Sequence, residues 1–291
     1  MDHNLSGKTL FITGGSRGIG RAIALRAARD GANIVIAAKT QTAHQHLPGT
    51  IFSVAEEVEA AGGRALPLVV DVRDEASIAN AVELAVEHFG GIDACINNAS
   101  AISPTGTLET PAKRYDLMHQ INVRGAFLVT QHCLPHLLKA ANPHVINLSP
   151  PINLDPAWLG PHVAYTTSKY MMSLWVLGMA KEFAGKVGFN ALWPISTIDT
   201  SAVRFVLGGE GMARHSRTAD IMADAAYEIL VRDSQRFSGN LLIDELVLRD
   251  AGVTDFEQYA VVPGEPLYPD MFVAPNVLAQ SSAVFLEEPS A

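Results

Sequence analysis

Residues 9–20 read TLFITGGSRGIG. Apolar residues dominate the first half and glycines punctuate the second. From Gly20 to Ala32 the chain then repeats apolar residues at helical spacing, with a glycine stop at Gly31. The stretch is therefore a strand, a tight turn and the first turn of a helix. Glycines at such a junction let the backbone bend sharply and bring its N–H groups against an anion at the helix N-terminus, most usefully the pyrophosphate of a dinucleotide. A glycine pattern alone is weak evidence; its place between a strand and a helix makes it strong. It nominates Gly14, Gly15, Ser16, Arg17, Gly18, Ile19 and Gly20 as cofactor contacts.

Outward from this turn the same rhythm continues. NIVIAAK (33–39), ALPLVVDV (65–72), IDACINNAS (92–100), HVINLS (144–149) and VGFNALWP (187–194) read as strands. Helical patterns lie between them, at 53–63, 75–91, 111–119, 122–140 and 165–184. Strands this apolar, alternating with helices, predict a parallel sheet covered on both faces. The fold class is α/β, a Rossmann-type doubly wound parallel sheet in a single domain over residues 1–262. Residues 263–291 lose periodicity and hold five prolines, which predicts an extended C-terminal tail. Residues 40–50 are a loop.

Composition narrows the function. The chain of 291 residues is 48% hydrophobic with a formal net charge of −9, as expected of a soluble globular protein whose main partner is not nucleic acid. No apolar run has the length of a membrane span, and the first residues show no secretory signal, so the expected location is cytoplasmic. Cys95 and Cys133, far apart in sequence, suggest neither a disulfide framework nor a metal site. His44 and His46 share a loop with no cysteine or acid nearby and read as solvated rather than as metal ligands.

The end of the second strand bears on the cofactor. An NAD site places a carboxylate there for the ribose diol, whereas a 2′-phosphate calls for cations. Here the chain offers Ala37, Ala38 and Lys39, with Arg17 within reach in the glycine turn. The expectation is NADP(H). Asp71 and Val72, after the third strand, are placed to meet the adenine, although Asp71 could equally cap the next helix.

With these residues in view the chain resembles the short-chain dehydrogenases/reductases over residues 6–250. TGGSRGIG (13–20) is similar to the family's TGxxxGxG turn, NNAS (97–100) to its NNAG motif with Ser100 in place of glycine, NVRG (122–125) to its helix asparagine motif, and Tyr165 with Lys169 to YxxxK. The resemblance implies an oxidoreductase acting on a small carbonyl or alcohol, with Tyr165, Lys169 and Asn122 as catalytic residues. Tyr165 would exchange a proton with the substrate oxygen. Lys169, one helical turn on, would lower the tyrosine's pKa and bind the nicotinamide ribose. Asn122 would hold a water in a proton relay, and Asn98, Ala99, Pro194 and Thr197 would touch the cofactor, with Thr200 an alternative to Thr197. The family's oligomers lead to a homodimer or homotetramer built on the apolar helix around 171–180.

Two departures stand out. The family places a catalytic serine about 13 residues before the tyrosine. Here Ser149 precedes Tyr165 by 16 residues and is followed by Pro150, which has neither hydroxyl nor N–H. Losing one such donor costs about 3 kcal/mol, roughly a hundredfold in rate. Either Ser149 or Asn153 replaces it, or catalysis is weak and the protein is a nucleotide-binding sensor or scaffold. Ile195 also stands where a glycine is usual. Finally, residues 200–217, with Gly208, Gly209 and Gly211, read as a substrate lid.

Overall fold

The computed structural model describes residues 4–43 and 49–286. The six expected strands and a seventh, not expected from the sequence, form one parallel sheet, β1 (Thr9–Thr13), β2 (Asn33–Ala38), β3 (Arg64–Val69), β4 (Ala94–Asn97), β5 (His144–Asn147), β6 (Gly188–Trp193) and the added β7 (Asn240–Ile243), in the order β3-β2-β1-β4-β5-β6-β7. The chain builds outward from β1 to β3, returns to β4 and then builds the other way. The carboxyl ends of β1 and β4 thus flank the crevice where doubly wound sheets bind ligands.

Alternation along each strand separates two cores. Leu10 and Ile12 of β1 join Ile34 and Ile36 of β2 against α1 (Gly18–Ala28), α2 (Ile51–Ala60), α9 (Asp220–Leu230) and α10 (Asp244–Asp250). Phe11 and Val35 point to the opposite face, with Val145 and Phe189, under α3 (Glu75–Phe89), α5 (Ala126–Leu137) and α7 (Val163–Glu182). Cys95 and Cys133 are both buried as free thiols in this second core.

Local signals explain the helix ends. Thr50 and Ser53 form a reciprocal capping box that starts α2 two residues earlier than its apolar pattern suggests. Asp74, not Asp71, caps α3, accepting from Ala76 N–H. The helical stretches predicted at 111–119 and 122–140 are joined: α4 (Ala112–Met118) runs through a π-helical turn, His119–Gly125, into α5. Short helices α6 (Pro156–Leu159), α8 (Gly209–Arg214) and α11 (Pro275–Leu278) complete the order.

The segment beyond 262 is irregular, as its composition suggests, but it does not project away. It folds back over the carboxyl end of β6. Asp270 N–H donates to Ile195 O (3.0 Å), Thr197 N–H to Tyr268 O (3.0 Å) and the Trp193 indole to Met271 O (2.8 Å). Phe272 and Val273 join Tyr165, Tyr170 and Trp193 in a third apolar cluster. Below it, the buried Arg217 guanidinium lies 2.7 Å from Glu245, whose carboxylate also accepts from Arg249 and from Ser281 of the C-terminal segment.

Candidate active site

The glycine turn closes onto β4. Gly14 has φ +66, and a side chain there would strike the Asn98 amide nitrogen at 2.8 Å; one at Gly20 would meet the same atom at 2.5 Å. Asn98 occupies that space itself, donating to Thr13 O (2.9 Å) and Gly14 O (3.1 Å). Thr13 Oγ1 accepts in turn from the N–H groups of Asn98 and Ala99. The first turn of α1 contains no acidic residue, so its positive end is open to an anion.

Along this crevice runs a groove of about 360 Å³ whose lining includes Gly14, Ser16, Arg17, Gly18, Ile19, Lys39, Asp71, Val72, Asn98 and Ala99. Gly15 and Gly20 sit behind it as packing residues. At one end Lys39 lies 3.1 Å from Asp71, and Arg73 grips the same carboxylate at 2.6 Å. Hydrogen bonds from Arg73, reinforced by Lys39, hold Asp71 well below the ordinary aspartate range. Arg17 donates to Gly49 O (3.0 Å), and desolvation lowers its pKa. The described lining of this end therefore carries Arg17, Lys39 and an acid, Asp71, supplied by the end of β3 rather than of β2. An open helix N-terminus, a cradle only glycine fits and flanking cations suit a dinucleotide phosphate.

Ile19, Asn98 and Thr200 are shared with a second, smaller chamber of about 180 Å³. Tyr165, Lys169, Pro194, Trp193, Leu148 and Asp270 line it. Tyr165 and Lys169 lie one turn apart on α7, as their spacing requires, and both are buried. Lys169 Nζ donates to Leu148 O (2.7 Å) and lies 5.2 Å from the centre of the Trp193 ring. Burial pushes this lysine down to about 7, against a counter-pull from Asp270. Burial, with Asp270 nearby, raises the Tyr165 phenol. The expected depression of the tyrosine by Lys169 is thus corrected for the protein alone: burial and Asp270 raise it instead.

Asn122 sits inside the π-helical turn, wholly buried. Its side chain spans both backbone groups of Ala101, accepting from N–H (2.8 Å) and donating to O (2.9 Å). It also donates to Ser168 Oγ (3.0 Å) and accepts from Ser100 Oγ (3.2 Å). The serine that replaces the family glycine in NNAS thus has a partner, one the motif alone does not reveal.

Other expectations meet different outcomes. Thr197 does not line either chamber; its hydroxyl bonds Ser216 (2.7 Å), and Thr200 faces the site instead. Ser149 is buried beside Ser173 (2.9 Å), and Asn153 Oδ1 accepts from Asp155 N–H (3.0 Å), so neither belongs to the chamber lining. Asp270, Met271 and Phe272 are additions to the expected site, hidden in sequence because their segment lacks periodicity. The only cue is its aromatic and acidic run, YPDMF (268–272). His44 and His46 lie outside the described residues; among those described, no group of three or more potential ligands is arranged to hold a metal.

A strand-end glycine cradle beside a buried Tyr-Lys pair on one helix defines a class, and the family model for short chain dehydrogenases matches residues 8–206. The chain belongs to that family, an oxidoreductase family whose members bind a nicotinamide dinucleotide and act on small molecules. It is 58% identical over 269 residues to hydroxysteroid dehydrogenase-like protein 2 of Danio rerio, covering 92% of this chain and 64% of that protein. The chain thus spans a little under two thirds of that relative. A short chain dehydrogenase from Mycobacterium thermoresistibile superposes with a TM-score of 0.88 at 50% identity, covering 93% of this chain and 96% of that one. NADH-dependent reductase A1-R′, complexed with NAD, superposes at 0.67 with 25% identity, covering 84% and 97%.

Proposed function

We propose that the protein is an NADP(H)-dependent oxidoreductase that interconverts a carbonyl and a secondary alcohol, with Tyr165 as the acid/base. The observation that carries this reading is that Tyr165 and Lys169 line a chamber sharing Ile19, Asn98 and Thr200 with the groove along the glycine turn. A nicotinamide dinucleotide bound there would supply or accept the hydride. The glycine turn, Asn98, Ala99 and Thr200 would hold it, with Arg17 and Lys39 toward a 2′-phosphate. Tyr165 gives its proton to the substrate oxygen in reduction and takes it back in oxidation. Lys169, cationic at the lower end of its range, favours the phenolate when proton transfer is under way. Asn122 fixes Ala101, between the lining residues Ser100 and Ile102, and so positions the backbone rather than the substrate.

The walls favour an apolar substrate. Ile102, Trp193, Val203, Leu207, Met222 and Met271 surround the reacting end, and the relatives' hydroxysteroid dehydrogenase-like name supports a lipid-like molecule. The segment 203–214, two short helical turns hinged at Gly209 (φ +68), serves as its lid. The partly exposed apolar face of α7, with Met171, Leu174 and Leu177, suits a homodimer or homotetramer. No described helix is long and apolar enough to cross a membrane; the two free cysteines fit a reducing compartment such as the cytoplasm.

The test is a panel of apolar ketones and secondary alcohols with NADPH or NADP, comparing wild type with Tyr165→Phe. Turnover should fall about 10²–10⁴-fold while cofactor binding persists. NADPH binding without any turnover by the wild type would favour the sensor reading instead.

A further inference from the structure

The chamber lacks a hydroxyl at the place where the family's serine would stand, yet a second proton-bearing group lines it. We propose that Asp270, delivered by the C-terminal segment, gives the substrate oxygen the hydrogen bond that Pro150 cannot.

The geometry excludes the nearer substitutes. Ser149 is engaged with Ser173, which also donates to the Pro150 carbonyl at 2.6 Å; Asn153 is occupied at the start of α6. Neither lines the chamber, whereas Asp270 does, alongside Tyr165 and Lys169. Its position is fixed from both sides. Its N–H bonds Ile195 O at 3.0 Å, the next residue's carbonyl takes the Trp193 indole at 2.8 Å, and the Phe272 ring lies 6.1 Å from that of Tyr165. Phe272 has φ +73, the one positive φ outside glycine among the described residues, a conformation that an aromatic side chain holds only under constraint.

A carboxyl donates only when protonated. Burial and the neighbouring Asp244 carboxyl drive Asp270 well above the ordinary aspartate value, outweighing Met271 N–H, the Trp193 indole and Lys169, which favour its charged form. The Lys169 ammonium has its own partners in Leu148 O and the Trp193 face. Reduction then runs with Asp270 unconsumed. As the carbonyl carbon receives hydride, the electron pair of the C=O double bond moves onto oxygen. Tyr165 transfers its proton to that oxygen, while Asp270 keeps its own and stabilises the developing charge. In oxidation the same hydrogen bond steadies the alkoxide.

The inference rests on the proposed oxidoreductase activity, and one set of variants separates the two. Asp270→Asn keeps a donor in the same volume; Asp270→Ala removes it. With a substrate that the wild type turns over, kcat should fall about a hundredfold in Asp270→Ala and no more than about tenfold in Asp270→Asn, with NADPH affinity and melting temperature near wild type in the latter. A carbonyl-stretch band of a protonated carboxylic acid, present in the infrared spectrum of wild type at neutral pH and absent from Asp270→Asn, should report the acid independently of turnover. Equal, deep losses in both variants would mean that the negative charge is what matters. Undiminished kcat in Asp270→Ala, or an ionised Asp270 by infrared, would equally overturn the proposal while leaving the oxidoreductase reading intact. A wild type inert across the panel would instead remove the activity itself, and the role of Asp270 with it.

Discussion

The hydroxyls of Ser149 and Ser173 meet at 2.9 Å in the buried layer between β5 and α7, and Ser173 also donates to Pro150 O at 2.6 Å. The serine that most resembles a catalytic one is therefore part of the scaffold, tying the turn after β5 to α7 at the level of the site. Ser149→Ala should cost about 1 kcal/mol of stability, the usual net worth of a buried hydrogen bond, and leave kcat within about twofold of wild type. A hundredfold loss of kcat with an unchanged melting temperature would return Ser149 to the chemistry.

The cofactor end gives a separable prediction. Lys39 is well exposed and shares its charge with Asp71 at 3.1 Å, so its contribution to the proposed 2′-phosphate contact would be moderate and screened by salt. Lys39→Ala should weaken NADPH binding about threefold to tenfold at low ionic strength, with a smaller effect at high salt, and leave NADH binding nearly unchanged. Fluorescence titrations with both cofactors at two salt concentrations would measure this. Equal weakening of NADPH and NADH would count against a phosphate contact.

The framework is readable because its determinants are local. Apolar runs, the glycine turn and the four-residue spacing of Tyr165 and Lys169 each carry their own geometry. The order of the strands and the joining of the two chambers agree with that reading. What stays hidden depends on contacts across the chain. Thr197 and Thr200 look alike in sequence, yet Ser216 captures one and the chamber receives the other. Asp270 lies more than a hundred residues beyond Tyr165 in a stretch without periodicity, and long-range bonds such as that of its N–H to Ile195 O reveal where it lands. The π-helical turn at Asn122 is likewise unreadable, because its extra residue is accommodated without any break in composition.

The C-terminal segment depends on the ion cluster beneath it. Arg217 and Glu245 are almost fully buried, and Glu245 also binds Arg249 and Ser281. Glu245→Gln would leave a buried guanidinium without its counter-charge, at a cost of about 3–5 kcal/mol, seen as a lower urea midpoint. The arginines hold the Glu245 pKa below its ordinary value near 4.5 even though burial alone would raise it. Its stabilising contribution is therefore complete above that value and is lost as pH falls through the lower, folded-state value. Wild type should lose stability through that acid range more steeply than Glu245→Gln. Parallel pH profiles would show that the cluster contributes nothing by its charge.

Lys169 sets function against stability. Burial pushes it down to about 7 from an ordinary value of 10.5, so folding favours its neutral form. For a folded-state value depressed in this way, stability is highest above 10.5 and declines as pH falls from there to about 7, below which the buried ammonium must be carried in full. Lys169→Met keeps the length and apolar stem but removes that charge, at the loss of one hydrogen bond to Leu148 O. The variant should gain about 1–3 kcal/mol of stability near pH 6, gain less near pH 10, and lose most turnover because nothing remains to draw Tyr165 toward the phenolate. Chemical denaturation at the two pH values, paired with kcat, decides it. A variant that is less stable than wild type at both would mean that the ammonium, through Leu148 and the Trp193 face, holds the site together more than its burial strains it.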